Sequence, residues 1–167
     1  MLTAPAEASP GLGQKTRPLV LIGVLCGVAL GLGGIIYLFW RPHDIYFTRF
    51  LKDIGLGSWL EIGREMAQRW IPTLPDWILF ALPNGLWAFA YAVLISFIWW
   101  GVRGYSAWLW LGSIPLLTLG YESLQFLGLI PGVFSVGDLL ACAVGMSSGT
   151  ILGAMLARRT HRLRPMC

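Results

Sequence analysis

Two carboxylates interrupt the long apolar second half of this sequence and are its best candidates for chemistry. Glu122 and Asp138 are the only charged residues between Arg103 and Arg158. If this stretch lies in a membrane, an unpaired charge at the bilayer centre costs about 2.5–3.5 kcal/mol or more. Such residues are therefore retained for a structural pairing or for a function.

Polar residues extend this candidate site. Thr118, Glu122 and Gln125 are spaced i, i+4 and i+7, so a helix places them on one face. Ser135 precedes Asp138 by three residues, which is the spacing of a capping box, and a cap is a sufficient role for Asp138 without excluding a second one. Glu122 has a simpler alternative, as a carboxylate near a helix end that reaches the aqueous interface. We predict a ligand-binding or polar cluster of Thr118, Glu122, Gln125 and Asp138.

Composition indicates an integral membrane protein. Hydrophobic residues make up 56% of the chain and charged residues 12%, and the mean hydropathy is +0.69. A soluble domain of this length has too little interior to bury so much apolar surface. The three cysteines show neither metal-ligand spacing nor a disulfide pattern, so we expect no metal and no cofactor. The basic residues lie beside apolar stretches, which favours membrane lipid as a partner and not nucleic acid.

Four apolar stretches reach the roughly 20 residues that a helix needs to cross the hydrocarbon layer. We predict an all-α membrane protein with transmembrane helices at about 18–40, 77–100, 105–127 and 136–157. They form one transmembrane domain, 18–157, between a flexible N-terminal segment, 1–17, and a basic tail, 158–167. Pro83-Asn84-Gly85 is a turn or helix-start signal that leaves the start of the second span open, and Pro115 predicts a kink in the third.

The distribution of basic residues predicts the orientation. Lysine and arginine favour the cytoplasmic side of a membrane, whereas acidic residues count for little. Four spans place the N-terminal segment, the second loop and the tail on one face, with Lys15, Arg17, Arg103, Arg158, Arg159, Arg162 and Arg164. The first loop carries five basic residues together with acidic ones. We expect both termini in the cytoplasm and the connection between Glu122 and Asp138 on the outer face.

The first loop contains two short amphipathic patterns. The apolar residues of the first repeat at helical spacing and are Phe47, Phe50, Leu51 and Ile54. The second begins with a capping-box pattern, Ser58 to Glu61, and ends at Pro72. We predict two interfacial helices, which either cover the outer ends of the spans or rest on the lipid headgroups.

Glycines recur every four residues in the first and fourth spans. They are Gly23, Gly27 and Gly31 in the first, and Gly145, Gly149 and Gly153 in the fourth. Glycine at this spacing lets a second helix backbone approach closely. We predict that these two spans pack tightly, either against each other or against a partner, which includes a second copy of the chain.

The motif Glu122-x-x-Gln125, followed by Pro131-Gly132 and then by Asp138 and Gly145, resembles the signature of VanZ-like proteins. These are small polytopic bacterial membrane proteins, named for a member linked to teicoplanin resistance. The resemblance covers about residues 74–156. The chain differs from that signature in having Val133 after the turn, Cys142 where the family has asparagine, and Asn84-Gly85 where it has aspartate and lysine.

The resemblance implies a protein of the bacterial cytoplasmic membrane that acts at the cell envelope. We expect it to bind a lipid-linked or peptide-like envelope component near the outer face. The alternative is a structural or assembly subunit of a larger membrane complex, which the nine tryptophans and the two glycine triplets favour. Catalysis is less favoured, because the two histidines, His43 and His161, lie outside the spans and no nucleophile is paired with a base.

Overall fold

The computed structural model describes residues 12–41, 46–130 and 134–162, and these residues form helices and short turns without a strand. The helices are α1 (Leu12–Trp40), α2 (Tyr46–Asp53), α3 (Gly57–Trp70), a π-helical turn (Trp77–Ala81) that continues into α4 (Leu82–Trp99), α5 (Tyr105–Phe126) and α6 (Val136–Arg162). The predicted all-α class is confirmed for this part of the chain.

Three of the helical segments are long and apolar enough to cross a membrane. They are Pro18–Trp40, Trp77–Trp99 and Val136–Thr160, which correspond to the first, second and fourth predicted spans. The helix at the third predicted position, α5, has 22 residues but contains glutamate, glutamine, threonine and three serines. It falls outside this group of three, as length and composition define it.

Two helices extend beyond the predicted limits of the transmembrane domain. α1 begins at Leu12, inside the predicted N-terminal segment, and α6 continues to Arg162, inside the predicted tail. The end of α6 is held to the bundle, since the guanidinium of Arg158 lies 5.3 Å from the ring centroid of Trp100. The rest of both predicted segments, 1–11 and 163–167, and the predicted turn at Pro131-Gly132 lie outside the described residues.

Pro83 determines how the second span begins. Proline has no backbone N–H, so it cannot donate to the carbonyl of Leu79 as the α-helical pattern requires. The preceding turn is a π-helix, in which the N–H of Leu82 donates to the carbonyl of Trp77. The chain thus stays helical from Trp77 to Trp99. Pro83-Asn84-Gly85, which from the sequence could have formed a turn or the start of the span, lies within this helical segment.

The helix α4 is the centre of the bundle and packs against α1, α5 and α6. Its closest neighbour is α6, through the three glycines predicted to line a contact face. A Cβ atom added to Gly149 would lie 2.5 Å from the carbonyl oxygen of Phe89, and one on Gly153 would lie 2.5 Å from that of Val93. Gly145 meets the carbonyl of Gly85 in the same way. The two backbones therefore touch over three turns, which only glycine permits.

The glycine stripe of α1 has no such neighbour. In the part of the chain that the structure describes, no atom from outside their own helical turns lies within 4 Å of the positions that Cβ atoms would take on Gly23, Gly27 and Gly31. The structure thus places the α6 glycines against α4, and it leaves the α1 stripe facing outward. A different glycine, Gly33, makes the close contact between α1 and α4, because the indole of Trp87 lies over it.

The first loop forms two helices, of which α3 adjoins the C-terminal end of α1 and α2 packs against α3. The last carbonyls of a helix lack intrahelical donors, and α3 supplies them: Arg64 Nε donates to the carbonyl of Leu38 at 2.7 Å, and Gln68 Nε2 to that of Phe39 at 3.0 Å. The predicted capping box does not form, because α3 already begins at Gly57 without a side-chain cap. Glu61 instead pairs with Lys52 at 3.4 Å.

Replacing Gly153 by alanine tests the contact between α4 and α6. The added methyl must displace backbone atoms of α4, so Gly153→Ala should lower the free energy of unfolding by about 1–3 kcal/mol. Gly27→Ala is the matched control, because the same methyl there meets open space. Denaturation of both purified variants in one detergent measures the difference. Equal stability of the two variants would contradict the proposed tight packing.

Candidate functional site

Four helices converge at one end of the bundle. α1 and α5 end there, and α4 and α6 begin there, since Arg41 reaches the carbonyls of Leu79 and Phe80 and Gly137 faces Ala81. Both carboxylates of the second half lie at this end, because Glu122 is one turn from the end of α5 and Asp138 is in the first turn of α6. The predicted turn that joins them lies outside the described residues, but the helices still bring them together.

A cavity of about 260 Å³ lies between α4, α5 and α6. The wall from α4 consists of Asn84, Trp87, Ala88 and Tyr91. These residues follow the spacing i, i+3, i+4 and i+7, so they form one continuous face of the helix. The wall therefore combines an amide with two aromatic rings that carry a polar group.

The opposite wall comes mainly from α5, with Leu117, Thr118, Tyr121 and Glu122, and Cys142 of α6 completes the lining. Leu117 is 59% exposed and Tyr121 is 57% exposed, whereas Glu122 is only 4% exposed. The cavity thus has a buried carboxylate at its inner side and opens along the flank of the bundle. Where α5 lies in a membrane, this opening faces lipid.

Glu122 is buried with little compensation for its charge. Asp138 lies close enough to repel it electrostatically, and the backbone N–H of Ser135 interacts favourably with its carboxylate. Its second oxygen, Oε2, is buried and has no hydrogen-bond partner among the described residues. Because a buried polar atom without a partner is costly, such atoms commonly mark a position where a ligand, an ion or a water binds.

Asp138 has a different environment. Its backbone N–H donates to Ser135 Oγ at 3.4 Å, which is one half of the predicted capping box. The other half is replaced, since the Ser135 N–H interacts with Glu122. The Asp138 side chain is 9% exposed, its Oδ1 is buried without a partner in the described parts of the chain, and it borders a second cavity of about 490 Å³ beside Asp76 and Ala81.

The positive charge of Arg41 stabilises the carboxylate of Asp138. The guanidinium also donates to the carbonyls of Leu79 and Phe80, at 3.5 and 3.3 Å, and lies 4.8 Å from the ring centroid of Tyr37. The carbonyl of Leu79 is the one that Pro83 leaves without an α-helical donor. Arg41 thus donates to the carbonyl that Pro83 leaves without a donor, and it also stabilises the charge of Asp138.

Two hydroxyl groups that line the cavity, those of Thr118 and Tyr91, form hydrogen bonds within the bundle. Thr118 Oγ1 donates to the carbonyl of Ile114 at 2.7 Å. The hydroxyls of Tyr91 and Ser113 are 2.7 Å apart, and Ser113 Oγ donates to the carbonyl of Trp110 at 2.6 Å. These bonds fix the orientation of Tyr91 across the interface between α4 and α5.

The structure brings together part of the predicted cluster. Thr118 and Glu122 line the same cavity, whereas Gln125 is half-buried outside its lining, and Asp138 borders the neighbouring cavity. Sequence reasoning missed the α4 wall with Trp87 and Tyr91. Their spacing from Asn84 was the available signal, but three aromatic or amide positions on an apolar helix do not stand out from ordinary packing.

The arrangement favours binding of a polar group. The structure shows no group of three or more His, Cys, Asp or Glu residues that could hold a metal ion among the residues it describes. What the cavity offers is a buried carboxylate, hydroxyl oxygens and aromatic rings next to a lateral opening.

A double-mutant cycle tests the pairing of Arg41 with Asp138. Arg41→Ala should lower the free energy of unfolding by about 1.5–3 kcal/mol, because it removes a charged donor from two carbonyls and a positive charge that stabilises a carboxylate. In an Asp138→Asn background the loss should shrink by at least about 0.5 kcal/mol. Arg69→Ala, at an exposed position of α3, is the control. Additive losses in detergent denaturation would contradict the pairing.

No protein-family model, curated protein or solved structure matches this chain. The resemblance to VanZ-like proteins stays a prediction.

Proposed function

We propose that this chain is a four-span protein of the bacterial cytoplasmic membrane that binds an envelope component at its outer end. The ligand is lipid-linked or peptide-like and enters the cavity between α4 and α5. One observation carries this proposal: Glu122 is 4% exposed, yet it lines a cavity that opens on the flank of the bundle and has an oxygen without a partner among the described residues.

In a four-span protein, α5, at the position of the third predicted span, crosses the membrane together with α1, α4 and α6. Its 22 residues extend about 33 Å, which is enough to cross a hydrocarbon core of about 30 Å. It packs against α4 and α6, so three neighbouring helices would share one membrane depth. Its polar side chains are accommodated because Glu122 and Thr118 face the cavity and not the lipid.

The proposal places α2 and α3 at the outer interface. α3 adjoins the end of α1 through Arg64 and Gln68, and it exposes Trp59, Met66 and Trp70. Exposed tryptophans are enriched at the level of the lipid headgroups. In this position α3 covers the end of α1 and leaves the cavity accessible from the side.

Thiol labelling tests the number of spans. With four spans, the loop before α5 is cytoplasmic and the segment after it is external, so Leu127→Cys should react with a membrane-impermeant maleimide in intact cells. Val102→Cys should react only after permeabilisation. Both positions are exposed, and replacing Cys167 by alanine removes the native terminal thiol. Labelling of both positions from the same side would show that α5 does not cross the membrane.

Two observations support the envelope role: the motif resembles that of VanZ-like proteins, and residues of the motif lie at the same end of the bundle. Glu122, Asp138 and Gly145, which match the VanZ-like signature, converge at one end of the bundle. Gly145 permits the contact with α4, Glu122 lines the cavity beside that contact, and Asp138 borders the neighbouring cavity. The motif thus corresponds to one structural unit.

Susceptibility to envelope-directed antibiotics tests this role in the native host. Loss of the whole protein should shift susceptibility, and Glu122→Gln should reproduce most of that shift, because it removes the charge while keeping the shape of the side chain. Glu65→Gln, at an exposed position of α3, should behave as wild type. Wild-type behaviour of Glu122→Gln at normal protein levels, beside a clear effect of deletion, would exclude Glu122 from the function.

A second candidate function, a subunit of a membrane complex, is favoured by the outward glycine stripe of α1. Gly23, Gly27 and Gly31 offer a surface of close approach to another helix, because Cβ atoms added to them would meet no neighbouring atom of the described residues within 4 Å. Gentle solubilisation distinguishes the two functions. A second polypeptide that co-purifies in stoichiometric amount would favour the subunit role over ligand binding.

A further inference from the structure

Three polar side chains that line the cavity, Glu122, Thr118 and Tyr91, can offer lone pairs to a ligand. A threonine or serine hydroxyl has one proton, and Thr118 uses its proton on the carbonyl of Ile114. Ser113 uses its proton on the carbonyl of Trp110, so Tyr91 must donate to Ser113. Thr118 and Tyr91 are left with lone pairs only. An ionised Glu122 is also an acceptor.

The charges around the cavity favour a cationic ligand. Glu122 and Asp138 repel each other, and the cation that stabilises this pair, Arg41, acts on Asp138 while its guanidinium also donates to two carbonyls. The residues that line the cavity include Glu122 but neither lysine nor arginine. An ionised Glu122 thus gives the cavity side of the pair an excess negative charge, which a cationic group would offset.

Aromatic rings complete this environment. Trp87, Tyr91 and Tyr121 line the cavity, and the faces of such rings attract cations. The indole of Trp87 is held in place, since its ring centroid lies 5.5 Å from that of Tyr37 and its edge lies over Gly33. A ligand therefore meets a ring that is already oriented.

The size of the cavity limits what it can enclose. Its volume of about 260 Å³ is below the range of about 300–1,000 Å³ for sites that enclose a whole drug-sized ligand. It accommodates a small polar head, while the remainder of the ligand leaves through the opening beside Leu117 and Tyr121.

We propose that the cavity binds a primary ammonium group, held by Glu122 and by the lone pairs of Thr118, which lies one turn away on the same face of α5. A primary ammonium supplies three N–H donors to these acceptors, whereas a quaternary ammonium supplies none. The group belongs either to an aminolipid headgroup or to a water-soluble amine. This inference rests on the proposed function, because it names the ligand class of the same cavity.

Lipid binding to the purified full-length protein tests the inference. Native mass spectrometry would compare phosphatidylethanolamine, phosphatidylcholine and phosphatidylglycerol with identical acyl chains. The first carries a primary ammonium, the second a quaternary ammonium and the third none. Wild-type protein should prefer phosphatidylethanolamine by about tenfold or more, the value of a hydrogen bond to a charged group. Free ethanolamine, added as a competitor and as a ligand by itself, distinguishes a soluble amine from a lipid headgroup.

Three variants assign the preference to the cavity. Glu122→Gln should abolish it, and Thr118→Val, which removes one acceptor at constant shape, should reduce it a few-fold. Glu65→Gln should retain it in full. Circular dichroism and gel filtration would verify that each variant is folded, and Thr118→Val provides an independent readout if Glu122→Gln is unstable.

Each outcome has one meaning. Equal binding of phosphatidylethanolamine and phosphatidylcholine, with no binding of ethanolamine, would overturn the ammonium site, as would a preference that survives Glu122→Gln. Glu122-dependent binding of ethanolamine as tight as that of the lipid would support the site and identify a soluble amine as its ligand. If Glu122→Gln loses ammonium binding while antibiotic susceptibility stays at wild type, the site stands and the envelope role fails. The reverse result overturns the ammonium site alone.

Discussion

The contact between the backbones of α4 and α6 is the constraint on which the site depends. Gly145, Gly149 and Gly153 let α6 approach the carbonyls of α4, so the two helices lie closer than side chains would permit. This approach brings Cys142 of α6 into the cavity lining next to the α4 residues, and it sets Asp138 beside Arg41. α5 adds Glu122 to a framework that already exists. The cavity is thus the space left where α5 cannot approach as closely as α6 does.

The environments of the two carboxylates differ, because α5 and α6 place different residues beside them. Asp138 begins a helix, where Ser135 bonds its N–H and Arg41 supplies a positive charge. Glu122 lies one turn from a helix end, against aromatic residues and a cavity. Its one favourable neighbour that the structure describes is the Ser135 N–H. Asp138 therefore has a sufficient structural role, and Glu122 retains capacity to bind something else.

Much of the fold could be predicted from the sequence, because hydropathy and spacing are local. The spans that became α1, α4 and α6, the helical first loop, and the shared face of Thr118 and Glu122 follow from such patterns. The partner of each glycine stripe could not be predicted, since Gly23 and Gly145 stripes look alike and only tertiary packing distinguishes them. The role of Arg41 was hidden for a similar reason, because its acceptors lie far along the chain.

The unequal packing of α4 against its two neighbours has an evolutionary consequence. Substitutions on the facing surfaces of α4 and α6 meet backbone atoms, so this pair tolerates little change. α5 meets α4 through side chains, such as the stacked rings of Trp99 and Trp110 and the paired hydroxyls of Tyr91 and Ser113. Side-chain contacts can be exchanged for others of similar volume. Among homologues, sequence differences should therefore concentrate along α5, while the glycine-lined faces of α4 and α6 stay constant.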